Sequence, residues 1–182
     1  FRLELISHQG GARIALFYEH RHADRSVLSD LVTYQYETAH QHIHTQLDDH
    51  GRIVALWLMR DGQPERQVAG YEFDAQGDLR SARDEHGAQW TYQYAHHLIT
   101  RYTDRTGRGM NLEWVGEGSD AKAIREWADD GTLDTRLNWD PDIRLTRVTD
   151  ANGNQTQHFY DSLGYTYRII PVSYTHLRAH ET

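Results

Sequence analysis

The sequence predicts an all-β protein built as an array of antiparallel β-hairpins. Three observations predict it: a recurring Asp-x-x-Gly turn, flanks that alternate apolar and polar residues, and a composition both aromatic and polar. Of the 182 residues, 38% are hydrophobic and 11% aromatic, with 11 Tyr and 5 Trp, yet mean hydropathy is -0.80. Disordered chains lack the large apolar groups that offset chain entropy. This balance suits sheets with one packed face and one wet face.

The turn is read from three stretches that share an Asp, a Gly three residues on and an aromatic seven further. They are Asp84, Gly87 and Tyr94; Asp104, Gly107 and Trp114; and Asp150, Gly153 and Tyr160. The first two copies start 20 residues apart (104 minus 84). A weaker copy, Asp48, Gly51 and Leu58, ends on an aliphatic residue. At an offset of 66, Tyr71, Phe73, Asp74 and Leu79 fall on Leu137, Trp139, Asp140 and Leu145, while Gly77 falls on Ile143. An Asp at the first turn position accepts a hydrogen bond from the N–H two residues on, and a Gly at the fourth takes the left-handed conformation without steric cost. That is the type I turn followed by a bulge, a common reversal of antiparallel strands. Turns are expected near 49–51, 75–77, 85–87, 105–107 and 151–153, with positive φ at Gly87 and Gly153.

The flanks carry the second signal. Trp90, Tyr92 and Tyr94 share one face of a strand, with Thr91 and Gln93 on the other. Leu133, Thr135, Leu137 and Trp139 alternate in the same way after Asp130-Gly131. Turn signals about every ten residues suggest an all-β array rather than βαβ units. Residues 1–46 are rich in strand formers without a clear turn and read as a degenerate β-repeat region. Residues 47–170 carry the repeats, with an irregular stretch at 116–131. There, either Ser119 caps a short helix or Ile124–Trp127 form a strand. Residues 171–182 hold no turn signal and no repeat register, and read as a non-native or mis-assembled tail.

The net charge of -8 and the absence of a basic stripe speak against a nucleic-acid partner. No Cys is present, which excludes a disulfide framework and thiolate chemistry. No apolar run approaches the roughly 20 residues of a membrane helix, so no membrane span is expected. Without an initiator Met or a signal-peptide pattern, the chain reads as a fragment.

Tyr71-x-Phe73-Asp74-x-x-Gly77-x-Leu79, followed by Asp84-x-x-Gly87 and Tyr92-x-Tyr94, resembles the YD repeat of bacterial Rhs proteins and related polymorphic toxins. Tyr160-Asp161-x-x-Gly164 carries the same dipeptide. Arg125-Glu126-Trp127, Asp130-Gly131 and Asn138-Trp139-Asp140 resemble the irregular middle of an Rhs core. The resemblance covers residues 47–170 well and 1–46 loosely. It implies a curved, spiralling sheet forming one arc of a hollow shell that encloses a C-terminal toxin until delivery, often by type VI secretion. It also implies bacterial competition as the setting, with export from the bacterial cytoplasm. The implied partners are other repeats of the same parent chain, the enclosed toxin and, through parts outside this sequence, secretion spike proteins. No spike-binding domain, toxin domain or self-cleaving Asp-Pro boundary pattern is read here; Asp140-Pro141 stands alone. The alternative is a cell-surface or carbohydrate-binding YD module, because Trp90, Tyr92, Tyr94, Trp114, Trp139 and Tyr160 offer rings for stacking sugars. Aromatics at alternate strand positions also pin register by cross-strand packing.

Five stretches invite a sharper chemistry. His40, His42 and His44, spaced i, i+2, i+4, share a strand face and are weak candidates for zinc or nickel; the plain reading is a wet strand face. Asp48-Asp49 and Asp129-Asp130 resemble acid/base pairs, but each precedes a turn Gly, which already explains them. Gly107-Arg108-Gly109 and Gly116-Glu117-Gly118 lack the Lys-Ser/Thr of a phosphate loop. The expectation is therefore a structural segment, not an enzyme, with no cofactor and no metal. Its defining residues are those of the turn and repeat: Asp74, Gly77, Asp84, Gly87, Tyr94, Asp104, Gly107, Trp114, Asp150, Gly153, Tyr160 and Asp161.

Overall fold

A computed structural model describes residues 3–172. The described residues are all β, and they divide into two compact units on either side of the junction between residues 91 and 92. The first unit holds β1 (Leu5–Ser7), β2 (Ala12–Phe17), β3 (His20–His22), β4 (Arg25–Val27), β5 (Asp30–Gln35), β6 (Thr38–Leu47), β7 (Ile53–Arg60), β8 (Gln63–Phe73) and β9 (Leu79–Asp84). The boundary falls inside β10 (Gln89–Ala95). The second unit holds β11 (Leu98–Thr103), β12 (Gly109–Val115), β13 (Lys122–Ala128), β14 (Thr135–Asp140), β15 (Leu145–Thr149), β16 (Gln155–Tyr160) and β17 (Thr166–Val172).

Hydrogen-bonded order follows chain order. Fifteen strands run β1-β2-β5-β6 and onward to β17 in one open sheet, and β3 and β4 pair with each other outside that order. This is the meander that short turns enforce, since a loop of two to five residues can only return the chain antiparallel to its neighbour. Alternate strand residues are then directed to opposite faces. Along β10, residues 90, 92 and 94 are half-buried, while 89, 93 and 95 are exposed.

Among the described residues the buried apolar side chains are few: Val32, Ala55, Ala128 and Leu145. Four hydroxyl residues, Ser29, Thr45, Ser81 and Thr146, are buried beside them. A sheet with little packed over it covers its side chains mainly with their cross-strand neighbours, so most rings stay half-buried. Stability then rests on ladder hydrogen bonds and neighbour-to-neighbour contacts, as in other repeat arrays.

The irregular stretch takes the strand alternative. Gly118–Asp120 form one 3-10 turn whose N-terminus has no side-chain cap, and β13 follows directly, so Ser119 caps no α-helix. Leu133 departs from the alternation expected of it: at φ +56 it lies in the turn, and β14 begins only at Thr135. β17 runs through Pro171 and Val172, which sit opposite Thr156 and Gln155. Proline suits this position because, among the described residues, β17 pairs with β16 alone and is an edge strand. The rest of the 171–182 tail lies outside the described residues.

Candidate functional site: the repeated turn

The turn unit is built the same way at Asp48, Asp74, Asp84, Asp104, Asp150 and Asp161. In each, the Asp Oδ1 accepts the backbone N–H groups two and four residues on, at 2.8–3.1 Å. The Gly N–H donates to the Asp carbonyl at 2.9–3.1 Å, and the Asp N–H donates to the carbonyl four residues on. Gly51, Gly77, Gly87, Gly107, Gly153 and Gly164 all have φ between +75 and +90. One carboxylate thus satisfies two N–H groups that the reversal would otherwise leave to water, and the glycine absorbs the left-handed step.

Two turns differ, for reasons the geometry supplies. The unit containing Asp130-Gly131 starts at Ala128, whose N–H donates to the Thr132 carbonyl while Gly131 donates to the Ala128 carbonyl. Ala128 is 0% exposed, a position with no room for a hydrated carboxylate, and Asp130 instead accepts from Thr132 N–H at 2.9 Å. After β14 the left-handed residue is Arg144, at φ +52, one place later than Gly77 in the offset of 66. Ile143 can therefore stand where the other copy has glycine.

Hydrogen bonding tunes these carboxyls. At Asp48, removal from water pushes the carboxyl up, but the backbone N–H and guanidinium of Arg52 and the N–H of His50 outweigh it, holding it at about 2. The Thr106 hydroxyl holds Asp104 below the usual range, as Thr132 does for Asp130 and the Asn154 side chain for Asp150.

The aromatic positions tie strands together. Trp114 Nε1 donates to the Ile99 carbonyl at 2.7 Å, and Trp139 Nε1 to the Ala123 carbonyl at 2.6 Å, so each indole binds the strand before its own. Tyr160 meets Trp139 edge-on, with centroids 6.3 Å apart. Tyr94 is half-buried on β10.

In the second unit the register separates two chemically different faces. Tyr102, Met110 and Ala128 are in line on one face, as are Leu137, Val148 and Thr156, and Trp139, Thr146 and His158. The Tyr102 hydroxyl donates to Glu126 at 2.9 Å on that face. The other face aligns Arg101, Asn111 and Trp127, then Arg125 with Arg136, and Asn138 with Arg147 and Gln157. Arg125 grips Asp134 through two bonds of 2.9 Å and stacks over Trp127 at 4.4 Å.

One device escaped the sequence. Arg101 binds Asp129 through two bonds, past the start of β12, and Asn111 joins them at 2.9 Å. A Cβ on Gly109 would run into both the Asp129 carboxylate and the Arg101 guanidinium. The glycine that resembled half of a phosphate loop is the floor of this clamp, and a Gly at a strand start is the signal that marked it. Asp129 and Asp130 therefore serve separate bonds, and Asp48 serves its turn beside an exposed Asp49.

The three candidate histidines do not converge. His42 Nε2 and His44 Nδ1 both donate to Asp30 Oδ1, at 2.6 and 2.9 Å. His40 is the extra residue of a β-bulge, where β5 residues Thr33 and Tyr34 pair with Gln41 and Ala39, and it is exposed. The bulge breaks the period-two alternation on which a shared face depends. Among the described residues no group of three His, Cys, Asp or Glu is arranged to hold a metal ion. No helix among them is long and apolar enough to cross a membrane.

Fold and turn together define a tandem β-hairpin repeat protein. The family model described as RHS Repeat matches residues 73–108, a stretch that begins one residue before the Asp74 turn and ends with the Asp104 turn. Residues 73–108 of the chain are thus similar to an Rhs repeat. No curated protein matches the chain. Among solved structures it is similar to the Photorhabdus luminescens Tc holotoxin pore with a mutated TccC3, and to TcdB2-TccC3-TEV. Each shows 13% identity and a TM-score of 0.46, over 93% of this chain and 11% of the other. The chain spans about a tenth of the length of those proteins.

Proposed function

We propose that this Rhs repeat segment is wall material: part of a β-shell that encloses a C-terminal toxin domain before delivery from a bacterial cell. The observation that carries the reading is the turn unit itself. Each copy closes within five residues, so strands can be added one after another without a new tertiary solution, which is what a wall of any length requires. The two faces of the second unit suit such a wall. One carries Leu137, Val148 and Trp139 toward a neighbour or an enclosed chain, and the other carries fixed Arg–Asp pairs toward water. Type VI secretion, a spike partner and a role in bacterial competition belong to the same proposal, through parts of the parent chain outside this sequence. The segment itself is expected to perform no catalysis.

The test is limited proteolysis of the parent chain. The C-terminal domain should resist protease in the intact protein and become sensitive when residues 73–108 are deleted. Equal sensitivity in both would end the encapsulation reading. A glycan array with the 182-residue chain tests the carbohydrate alternative. Silence is expected, because the Trp114 and Trp139 indoles donate to backbone carbonyls and sit half-buried between strands; specific binding to one glycan class would favour the binding module instead.

A further inference from the structure

Across β14, β15 and β16 the register sets short side chains between tall ones. Trp139 on β14 stands opposite Thr146 on β15, and Thr146 opposite His158 on β16; Leu137, Val148 and Thr156 form the next row. Neighbouring strands lie about 4.8 Å apart, so the backbones of β14 and β16 are about 10 Å apart across this trough. The rings of Trp139, His158 and Tyr160 stand around it. A cavity of about 400 Å³ results, lined by those rings, by Leu137, Thr146 and Val148, and by Lys122. That volume is within the range of small-molecule sites.

The walls are held in place by bonds of their own. Trp139 Nε1 donates to the Ala123 carbonyl, Tyr160 meets the Trp139 ring edge-on, and the His158 ring hydrogen-bonds with Thr156 Oγ1 at 3.1 Å. The lining carries one permanent charge. Lys122 Nζ lies 5.4 Å from the centroid of the Trp139 ring, and no carboxylate lines the cavity. Acids on the surrounding elements are engaged elsewhere or exposed. Glu126 accepts from the Tyr102 hydroxyl, Asp140 lies 3.7 Å from Arg147, and Asp161 closes its own turn through the N–H groups of Leu163 and Tyr165. Glu117, Asp120 and Asp142 are exposed in connections between strands. The cations Arg147 and Arg168 alternate to the opposite face, where Arg168 lies over Phe159.

Such a lining favours a ligand with two parts. An apolar ring gains contact with Leu137 and Val148 and edge or offset packing against Trp139 and Tyr160. A carboxylate gains Lys122, whose ammonium has three N–H donors and keeps its contact with the indole while donating. We propose that the trough between β14 and β16 is a binding site for a small aromatic carboxylate, its ring on Val148 beside Trp139 and its carboxylate on Lys122. A neutral ring meets the same walls but leaves the ammonium unanswered. A sugar brings hydroxyls against Leu137 and Val148, where they lose water without a partner.

Titration of the whole chain with 3-phenylpropanoate and with its neutral amide, followed by backbone amide NMR shifts, tests this. Saturable shifts are expected at residue 122 and within 137–148 and 158–166. The acid should bind about three- to fivefold tighter than the amide, the worth of one partly exposed ion pair. Lys122→Gln, at an exposed position, should remove that preference and leave the affinity for the amide as it was. Val148→Phe should fill the trough and abolish binding of both probes; where that variant does not fold, Lys122→Gln decides alone. No saturable shift in these strands, equal affinity for acid and amide, a preference that survives Lys122→Gln, or unchanged binding by folded Val148→Phe would overturn the proposal.

Discussion

Gly11 and Gly51 share left-handed dihedrals with Gly87, Gly107 and Gly153, but their surroundings differ. The Tyr36 ring lies against Gly11, and the Tyr36 N–H donates to the Gly11 carbonyl at 2.7 Å. His22 lies against Gly51 in the same way. At Gly87, Gly107 and Gly153 a Cβ would meet nothing within 4 Å. Left-handed residues other than glycine occur on both sides of the first Asp-x-x-Gly turn, Ala23 and Tyr36 before it and Asp61, His96, His97, Leu133 and Arg144 after it, so they do not separate the two regions. Gly11 and Gly51 each carry a ring from a distant residue on the bend, although the Gly51 turn is also closed by its own Asp48 bonds. In the later repeats the chain is bent by its own five residues.

The largest expected difference between the two kinds of glycine is a stability gap. Gly51→Ala must strain the backbone and displace His22, and should destabilise by about 2–3 kcal/mol, against about 1 kcal/mol for Gly153→Ala. Denaturant midpoints at fixed m-value measure both. Equal losses would erase the distinction between seat and hinge.

Acid provides a second, smaller test at the same turn. Asp48 is lowered from 3.8 to about 2, so the stability it contributes is fully present above its ordinary value and is lost as pH falls through about 2. Native protein should therefore lose stability more steeply than Asp48→Asn between about pH 4 and 2, in melts followed by circular dichroism. Parallel curves would mean that the carboxylate adds nothing over an amide in closing the turn.

The smallest effect is a gain. Arg144 occupies the left-handed position of a repeat turn without being glycine, so Arg144→Gly should stabilise by about 0.5–1 kcal/mol, read as a higher Tm. A loss would show that the Arg144 side chain supports its turn by contact, as the residues near Gly11 and Gly51 do.

The sequence by itself determined the all-β class, the hairpin meander and the position of nearly every repeat turn. It could do so because the Asp carboxylate reaches only N–H groups two and four residues away, and the glycine answers a local dihedral demand. It read the turn at Asp130-Gly131 but began the next strand at Leu133, which the structure keeps in the turn, with β14 starting at Thr135. Tertiary structure alone decided that Asp30 would take His42 and His44, that a bulge would set His40 apart, and that Arg101 would find Asp129 across 28 residues. It alone laid the β3–β4 hairpin on Gly51. Those outcomes depend on strand register and on which side chain arrives from a distant strand, and no spacing within a single strand encodes either.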